Sequence, residues 1–198
     1  MGERESGGTF IRGASSFVGD ELGYVAPKGK RAMPAQRPRK SEQTVATPRD
    51  FLDAVEVRFG KMAWDLAATA ENCIIKGWGS EGGLKRFGPD HHDPKKRDAF
   101  ANEWTKLKGN LWLNPPFGDI APWAEKCAGC FSSNRRIFLL VPASVGSNWF
   151  RHFVFNRAMV LFLSPRLTFV GHTQCYPKDL ILAIYGHKPG FECWRWKP

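Results

Sequence analysis

The sequence predicts an α/β fold with a mostly parallel β-sheet. Short apolar segments alternate with amphipathic helical segments along residues 45–186, which is typical of a parallel sheet covered by helices. The last two apolar segments follow each other with no helical pattern between them, so we expect an antiparallel addition at the C-terminal edge of the sheet. The chain has 198 residues, of which 42% are apolar, and this length suits one substantial core and hardly two.

Residues 1–44 are expected to form a disordered basic arm in front of one domain over residues 45–198. The arm is rich in Gly, Ser, Pro, Lys and Arg and has little periodic apolar pattern, as in APKGKRAMPAQRPRK. It lacks the apolar segment of a secretory signal, and no apolar run in the chain approaches the roughly 20 residues of a membrane span. We therefore expect a cytoplasmic protein.

The elements of the domain are predicted from local patterns. The first helix lies in TPRDFLDAVEVRFG, with Thr47 as N-cap, Pro48 at the first helical position and Gly60 at the end. Further helices are expected over Pro94–Trp104, Pro122–Phe131 and Ser147–Phe155. The expected strands are MAWDLAA, which ends in Asp65, NLWLN (110–114), RIFLLVPA (136–143), AMVLFLS (158–164), and a terminal pair, RLTFV and DLILAIYG (179–186).

The charge distribution predicts a nucleic-acid partner. The formal net charge is +10, and a surplus of this size suggests a polyanion. No acidic residue lies between Glu125 and Asp179, whereas this stretch carries seven cations: Lys126, Arg135, Arg136, Arg151, Arg157, Arg166 and Lys178. The alternative is a solvated basic face without a specific partner.

The five cysteines predict free thiols. Their number is odd and their spacing irregular, which argues against a disulfide framework and fits a reducing compartment. Cys127 and Cys130 form a C-x-x-C pair, but this pair lies in a helical segment without a second pair. We interpret both as buried thiols, and no bound metal is expected.

The tetrapeptide NPPF at Asn114–Phe117 ends a predicted strand. The two prolines lack an N–H, so the carbonyls of Asn114 and Pro115 lose their ladder partners, and the Asn114 side chain adds another acceptor. Clustered acceptors suit an exocyclic amino group, and Phe117 offers a face for a planar heterocycle. The motif therefore predicts a site for adenine N6 or cytosine N4, with a packed strand terminator as the alternative.

A second polar residue also follows a predicted strand, since MAWDLAA ends in Asp65. In parallel sheets ligands bind at the carboxyl ends of the strands. Asp65 and Asn114 are therefore expected to belong to one ligand site.

The ordered motifs over about residues 45–186 resemble those of phage and prophage Dam-type DNA N6-adenine methyltransferases. The order is TP–helix–FG, WDLAAT, RDAF, LWLNPPF, LLVPA, RLTF and LILAIYG. The resemblance implies a Rossmann-like class I methyltransferase that uses S-adenosylmethionine and acts on double-stranded DNA, and small enzymes of this kind are often monomers. Only 48 residues separate Asp65 from the tetrapeptide, so one strand, with its ribose-binding acid, is expected to be missing.

The resemblance also implies roles for individual residues. Asn114 and Pro115 accept hydrogen bonds from the target amine, and Phe117, which follows Pro116, stacks on the flipped base. The implied catalytic residues are thus the whole tetrapeptide: Asn114, Pro115, Pro116 and Phe117. The implied cofactor-binding residues are Thr47 and Pro48 at the methionine end, Asp65, Ala67, and Asp98 at the adenine or ribose end. The candidates for DNA contact are Lys85, Arg86, Lys95, Lys96 and Arg97 in the insert 76–97, and Arg166 and Lys178 in the loop 164–178.

Two further functions compete with adenine methylation. One keeps the fold and changes the acceptor to cytosine N4, or to an amine of RNA or protein, because the tetrapeptide does not separate these amines. The other is a catalytically silent nucleic-acid-binding protein, which the basic and aromatic composition also allows. Adenine is favoured by the resemblance alone.

Overall fold

The helices and strands are assigned in the part of the chain that the structure describes. This structure is a computed structural model, and its described residues are 45–69, 72–73, 98–132 and 134–198. The helical elements are α1 (Arg49–Phe59), a 3-10 turn (Trp104–Lys106), α2 (Ala121–Cys130) and a π-helical turn (Phe150–Val154). The strands are β1 (Met62–Asp65), β2 (Asn110–Leu113), β3 (Ile137–Pro142), β4 (Ala158–Ser164), β5 (Leu180–Tyr185) and β6 (Gly190–Arg195).

Two predictions fall outside the described residues. The basic arm over 1–44 lies there, and so do residues 70–71 and 74–97 between β1 and the turn that precedes β2. The insert 76–97 and the place where one strand is expected to be missing belong to this second segment. The expectations for the arm, the strand and the insert therefore stay predictions.

The strands form one six-stranded sheet with the order β1-β2-β3-β5-β4-β6. β1, β2 and β3 pair in parallel, β5 pairs antiparallel with β3 and with β4, and β6 pairs parallel with β4. The sheet is therefore mostly parallel, as predicted, and its antiparallel strand belongs to the C-terminal half. That strand, β5, is inserted between β3 and β4, with β6 outside β4.

The apolar content of each strand explains its place in the sheet. Every residue of β3 and of β5 is buried, because IFLLVP and LILAIY are apolar on both faces and suit the centre of a covered sheet. In β6 (GFECWR) half-buried residues alternate with exposed ones. Such a strand can turn one face to water and therefore suits an outer position.

The predicted strand RLTFV is wrong, and the terminal strand is β6 instead. Residues 165–170 form no strand although Leu167 and Phe169 are buried. Pro165 follows β4 directly and cannot donate to a ladder. The segment is held by single main-chain bonds, from Val170 N to the Ala46 carbonyl and from Tyr176 N to the Leu167 carbonyl. The alternation of Leu167 and Phe169 was therefore a burial signal without strand pairing.

Two helix predictions also need correction. In the described part of Pro94–Trp104 there is no α-helix before the 3-10 turn, because the Asp98 carboxylate accepts from Phe100 N and Trp104 Nε1 donates to the Ala99 carbonyl, which compete with helical bonds. At α1 the N-cap is Pro48, which has no side-chain capping bond. The hydroxyl of Thr47 accepts from Asn114 Nδ2 instead.

The core lies on both faces of the sheet. Leu111 and Leu113 pack in the cluster that contains α2 residues, whereas Trp112 and Phe138 pack in the cluster that contains α1 residues. This division follows from the alternation of side chains along a strand. It places Trp112 on the α1 side of the sheet. No helix in the described ranges combines the length and apolar character that a membrane crossing requires.

Candidate active site

A cleft lies at the carboxyl ends of β1 and β2. β1 and β2 pair in parallel with Asp65 opposite Trp112, so the residues that follow each strand meet at one edge of the sheet. The cleft is partly open to solvent and is lined by Val45, Thr47, Asp65, Ala67, Ala68, Asn72, Trp112 and Asn114. The structure therefore brings together the predicted site residues Thr47, Asp65, Ala67 and Asn114.

The side-chain amide of Asn114 is held in one orientation. Its Nδ2 donates to the Val45 carbonyl at 3.0 Å and to Thr47 Oγ1 at 3.3 Å. Because a carbonyl can only accept, the nitrogen must face Val45. Asn114 Oδ1 is buried and has no hydrogen-bond partner in the part of the chain that the structure describes. A buried acceptor without a partner costs about 1–3 kcal/mol, so this oxygen has the character of a ligand-binding atom.

The two prolines of the tetrapeptide lead the chain out of the sheet. β2 ends at Leu113, and neither Pro115 nor Pro116 has an N–H with which to continue the ladder. Pro115 is buried, and Pro116 is half-buried. The roles of the prolines in catalysis stay predictions, and their part in ending the strand is confirmed.

The ring of Phe117 belongs to an aromatic cluster with Phe169 and Tyr176. Phe117 meets these rings edge-on, with centroids 6.2 Å and 5.5 Å away, and Phe169 and Tyr176 are 5.7 Å apart. Such edge-to-face pairs add about 0.5–1.5 kcal/mol each to their apolar burial. Sequence reasoning missed Phe169 and Tyr176, because their contact with Phe117 is made by a loop and has no local periodicity.

Asp65 is buried at the floor of the cleft, with 4% of its surface exposed. Its Oδ1 accepts from the Ala67 main-chain N at 3.5 Å, so the carboxylate is turned toward the loop that follows β1. Pro48 does not line the cleft; it stands next to Thr47 and accepts the first helical bond of α1, from Leu52 N. The cleft residues Val45, Ala68, Asn72 and Trp112 were not predicted from the sequence.

Asp98 is not among the residues that line the cleft. It is exposed, and its Oδ1 accepts from Phe100 N at 2.7 Å while its carbonyl accepts from Asn102 Nδ2. These bonds form a local turn of the kind that Asp favours. The expected role of Asp98 at the cofactor stays a prediction that its position does not support.

Three of the seven cations in the acid-free stretch serve the protein's own main chain. Lys126 Nζ donates to the carbonyls of Ala99, Phe100 and Asn102, and burial lowers the pKa of this ammonium below its ordinary value. The Arg135 guanidinium donates to the carbonyls of Cys130, Thr105 and Leu107. The Arg136 guanidinium donates to the Phe59 carbonyl. These three residues are therefore poorly placed to bind an external polyanion.

The remaining cations are exposed. Arg166 forms an ion pair with Asp179, Nε to Oδ1 at 2.8 Å, so the first acid after the acid-free stretch neutralises one of its cations. Arg151, Arg157 and Lys178 are exposed. The five predicted DNA-binding cations of the insert 76–97 lie outside the described residues.

The cysteines do not form a metal centre with other ligands in the described residues. Cys127 is buried in α2 and Cys130 is half-buried, and burial raises the pKa of the Cys127 thiol well above its ordinary value. No group of three or more His, Cys, Asp or Glu side chains that could hold a metal occurs in the residues that the structure describes.

Comparison with known proteins supports the resemblance that the motifs indicated. Residues 35–179 match the family model described as DNA N-6-adenine-methyltransferase (Dam). A DNA N-6-adenine-methyltransferase of Escherichia phage T1 is 27% identical over 169 residues, which are 83% of this chain and 65% of the relative. The chain therefore spans about 65% of the length of this curated relative. The matched family region contains the whole lining of the cleft and the tetrapeptide.

Proposed function

The chain belongs to the Dam family of DNA N-6-adenine-methyltransferases, and on that premise we propose that it transfers a methyl group from S-adenosylmethionine to N6 of an adenine in double-stranded DNA. The mixed α/β sheet is consistent with a Rossmann-like class I methyltransferase. The observation that carries the proposal is the buried Asn114 Oδ1, an acceptor without a partner in the described residues, at the sheet edge where a ligand site is expected.

The residues of the cleft suit S-adenosylmethionine, which carries an ammonium, a carboxylate and ribose hydroxyls and supplies an electrophilic methyl group when bound. Asp65 offers a carboxylate for an ammonium or a hydroxyl. Thr47 offers a hydroxyl that can donate as well as accept. Ala67 and Ala68 are small enough to let a ligand approach the main chain. These residues are the ones we assign to cofactor binding.

Asn114 and Pro115 would activate the target amine. The lone pair of an exocyclic amine is delocalised into the base, and two acceptors that take its N–H groups bias the nitrogen toward a tetrahedral geometry. The same acceptors would stabilise the positive charge that develops on this nitrogen while it takes the methyl group in line, as the methyl–sulfur bond breaks and the neutral thioether leaves with the electron pair. Because Val45 and Thr47 fix the amide of Asn114, this acceptor is already positioned before the reaction.

No general base is needed in this mechanism. The side chain at position 114 is a neutral amide and cannot take up the proton. The nitrogen that has received the methyl group is acidic, so it loses its extra proton to solvent after the transfer. Positioning and electrostatic stabilisation by the chain therefore supply the rate.

The target base has to leave the duplex. In a duplex the amine is paired and stacked, so an enzyme that modifies it must extrude the base. Phe117 is half-buried and is held by T-shaped contacts with Phe169 and Tyr176, so its ring can act as a rigid stacking platform. Stacking on an aromatic side chain contributes about 1–3 kcal/mol per base.

Identification of the modified nucleoside tests the proposal. We expect calorimetry to show binding of S-adenosylmethionine to the full chain. Unmodified duplex DNA is then incubated with the protein and S-adenosylmethionine. Enzymatic digestion and mass spectrometry of this DNA should show N6-methyldeoxyadenosine. Detection of N4-methyldeoxycytidine instead would show that the target base is cytosine. If S-adenosylmethionine does not bind, the proposal fails and the chain is a catalytically silent nucleic-acid-binding protein.

Replacing Phe117 with alanine is expected to lower kcat/KM for DNA by about 5- to 150-fold, since the stacking platform contributes about 1–3 kcal/mol. The Kd for S-adenosylmethionine should change little, because Phe117 does not line the cleft. Phe191→Ala is a matched control, because Phe191 is 49% exposed on β6. Equal kinetic losses in the two variants would contradict the role of Phe117.

Lys178 and Arg135 are expected to respond in opposite ways to replacement by glutamine. Lys178→Gln should weaken DNA binding and reduce the slope of log K against log salt concentration by about 1, because one phosphate contact is lost. Arg135→Gln should leave that slope unchanged and lower the free energy of unfolding, because Arg135 binds main-chain carbonyls. Titrations at several salt concentrations and urea unfolding measure the two effects. If Arg135→Gln reduced the slope and Lys178→Gln did not, the assignment of Lys178 to phosphate and of Arg135 to the main chain would be refuted.

A further inference from the structure

Trp112 carries a second buried polar atom without a partner at the cleft. Its side chain is fully buried, and Nε1 has no hydrogen-bond partner in the described part of the chain. Trp112 lines the same cleft as Asn114. The mechanism proposed above uses the acceptor of Asn114 and makes no use of this donor.

The position of Trp112 follows from strand geometry. Trp112 and Asn114 are two residues apart at the end of β2, so their side chains leave the sheet on the same side. Contacts confirm this, because Trp112 meets the ring of Phe51 in α1 at 6.2 Å and Asn114 bonds to Val45 and Thr47 just before α1. Both orphan atoms are therefore on the α1 side of the sheet.

The indole N–H is a donor only, so its partner must be an acceptor. An unpartnered buried donor is unfavourable by about 1–3 kcal/mol, and a phenylalanine would fill nearly the same space without it. A second donor belongs to the same region, because the Thr47 hydroxyl, which accepts from Asn114, keeps its own proton to donate. A pair of donors on one side of a cleft that also holds the Asp65 carboxylate suits the carboxylate of a zwitterionic ligand.

We propose that the indole N–H of Trp112 is a cofactor-binding donor that takes the carboxylate at the amino-acid end of S-adenosylmethionine. This inference rests on the proposed function, which supplies the cofactor. Trp112 then sets affinity for the amino-acid end of the cofactor, whereas Asn114 holds the target amine. Two neighbouring residues of one strand end thereby serve the two substrates of the reaction.

Trp112→Phe tests the inference with two ligands. We expect Trp112→Phe to bind S-adenosylmethionine about 10- to 100-fold more weakly than the wild type, which is the range for a hydrogen bond to a charged group. Binding of 5′-methylthioadenosine, which keeps the nucleoside and lacks the amino-acid end, should be the same in both proteins. The thermal midpoint of the ligand-free variant should fall by less than that of Trp104→Phe, since both variants lose the same ring volume but only Trp104 loses a hydrogen bond.

Trp104→Phe is the matched control. Trp104 is also fully buried, but its Nε1 donates to the Ala99 carbonyl at 2.9 Å. Its replacement should lower the thermal midpoint of the ligand-free protein and leave the preference for S-adenosylmethionine over 5′-methylthioadenosine intact. The two tryptophans are therefore expected to give opposite patterns in stability and in ligand preference.

Two results would overturn the inference: unchanged affinity of Trp112→Phe for S-adenosylmethionine, or an equal loss for both ligands. Should the variant not fold, the indole N–H resonance of Trp112 in the wild type decides. A downfield shift with S-adenosylmethionine but not with 5′-methylthioadenosine supports the assignment, and no difference refutes it. Failure of the wild type to bind S-adenosylmethionine would instead overturn the proposed function, and with it this assignment.

Discussion

Asn114→Ala is expected to lower the rate of methyl transfer by about 10²–10³-fold, the size of the loss when one preorganised group that stabilises transition-state charge is removed. The reason is that Asn114 Oδ1 is a buried acceptor without a partner in the described residues, held in place by Val45 and Thr47. The Kd for S-adenosylmethionine should change much less than the rate, because Asn114, although it lines the cleft, is assigned to the amine that receives the methyl group. Single-turnover kinetics and calorimetry measure the two quantities separately.

Two further variants sharpen this result. Asn134→Ala is a control of the same chemistry, because Asn134 is exposed in the turn before β3, at the other end of the parallel strands, and its rate should equal that of the wild type. Asn114→Asp keeps acceptor oxygens and loses the donors to Val45 and Thr47, so it separates acceptance from positioning. Full activity of Asn114→Ala, or a rate loss that saturating cofactor restores, would disprove the assigned role.

Gly186→Ala is expected to lower the free energy of unfolding by about 3 kcal/mol, from a strained backbone and a steric clash. Gly186 follows β5 with φ of +80°, a conformation that costs an L-residue about 1–2 kcal/mol. A Cβ there would lie 2.7 Å from the Ser132 carbonyl oxygen and 3.0 Å from that of Arg135. The turn cannot easily retreat, because the Arg135 guanidinium binds the carbonyls of Cys130 and Thr105.

Gly171→Ala isolates the contribution of the clash. Gly171 has a similar φ of +85°, and a Cβ there would meet nothing within 4 Å. Its replacement should therefore lower the free energy of unfolding by only about 1–2 kcal/mol. Urea unfolding of both variants gives the difference. If Gly186→Ala were no more destabilising than Gly171→Ala, the close approach of the turn to Gly186 would be disproved.

Helices and strands with a strong pattern of their own could be predicted from the sequence. AMVLFLS became β4 with the predicted bounds (Ala158–Ser164), and β1 ends at Asp65 as expected. The errors lie where side chains bind the main chain or where tertiary burial imitates a pattern. Asp98 forms a local turn in place of a helix, and Leu167 and Phe169 alternate without belonging to a strand.

The positions of DNA-contacting cations were the hardest feature to predict from the sequence. A cation has the same sequence signal whether it faces solvent or the carbonyls of its own chain. Lys126 and Arg135 proved to hold the main chain around the 3-10 turn and the end of α2. Lys178 is exposed. Only the positions of neighbouring carbonyls in the folded chain distinguish these cases. The number of cations available to DNA therefore could not be predicted from net charge.

The sequence by itself determined the class of fold, the strand end at Asp65, the exit from the sheet at Asn114, and the family. These features depend on local periodicity, on the missing N–H groups of two prolines and on an ordered set of motifs. The tertiary structure alone decided that Val45 and Thr47 orient the amide of Asn114, and that Phe169 and Tyr176 support Phe117. It also decided that the indole of Trp112 and the amide oxygen of Asn114 are buried at one cleft, without partners among the residues that the structure describes. These contacts join residues far apart in the chain, so they arise from packing and not from any local pattern.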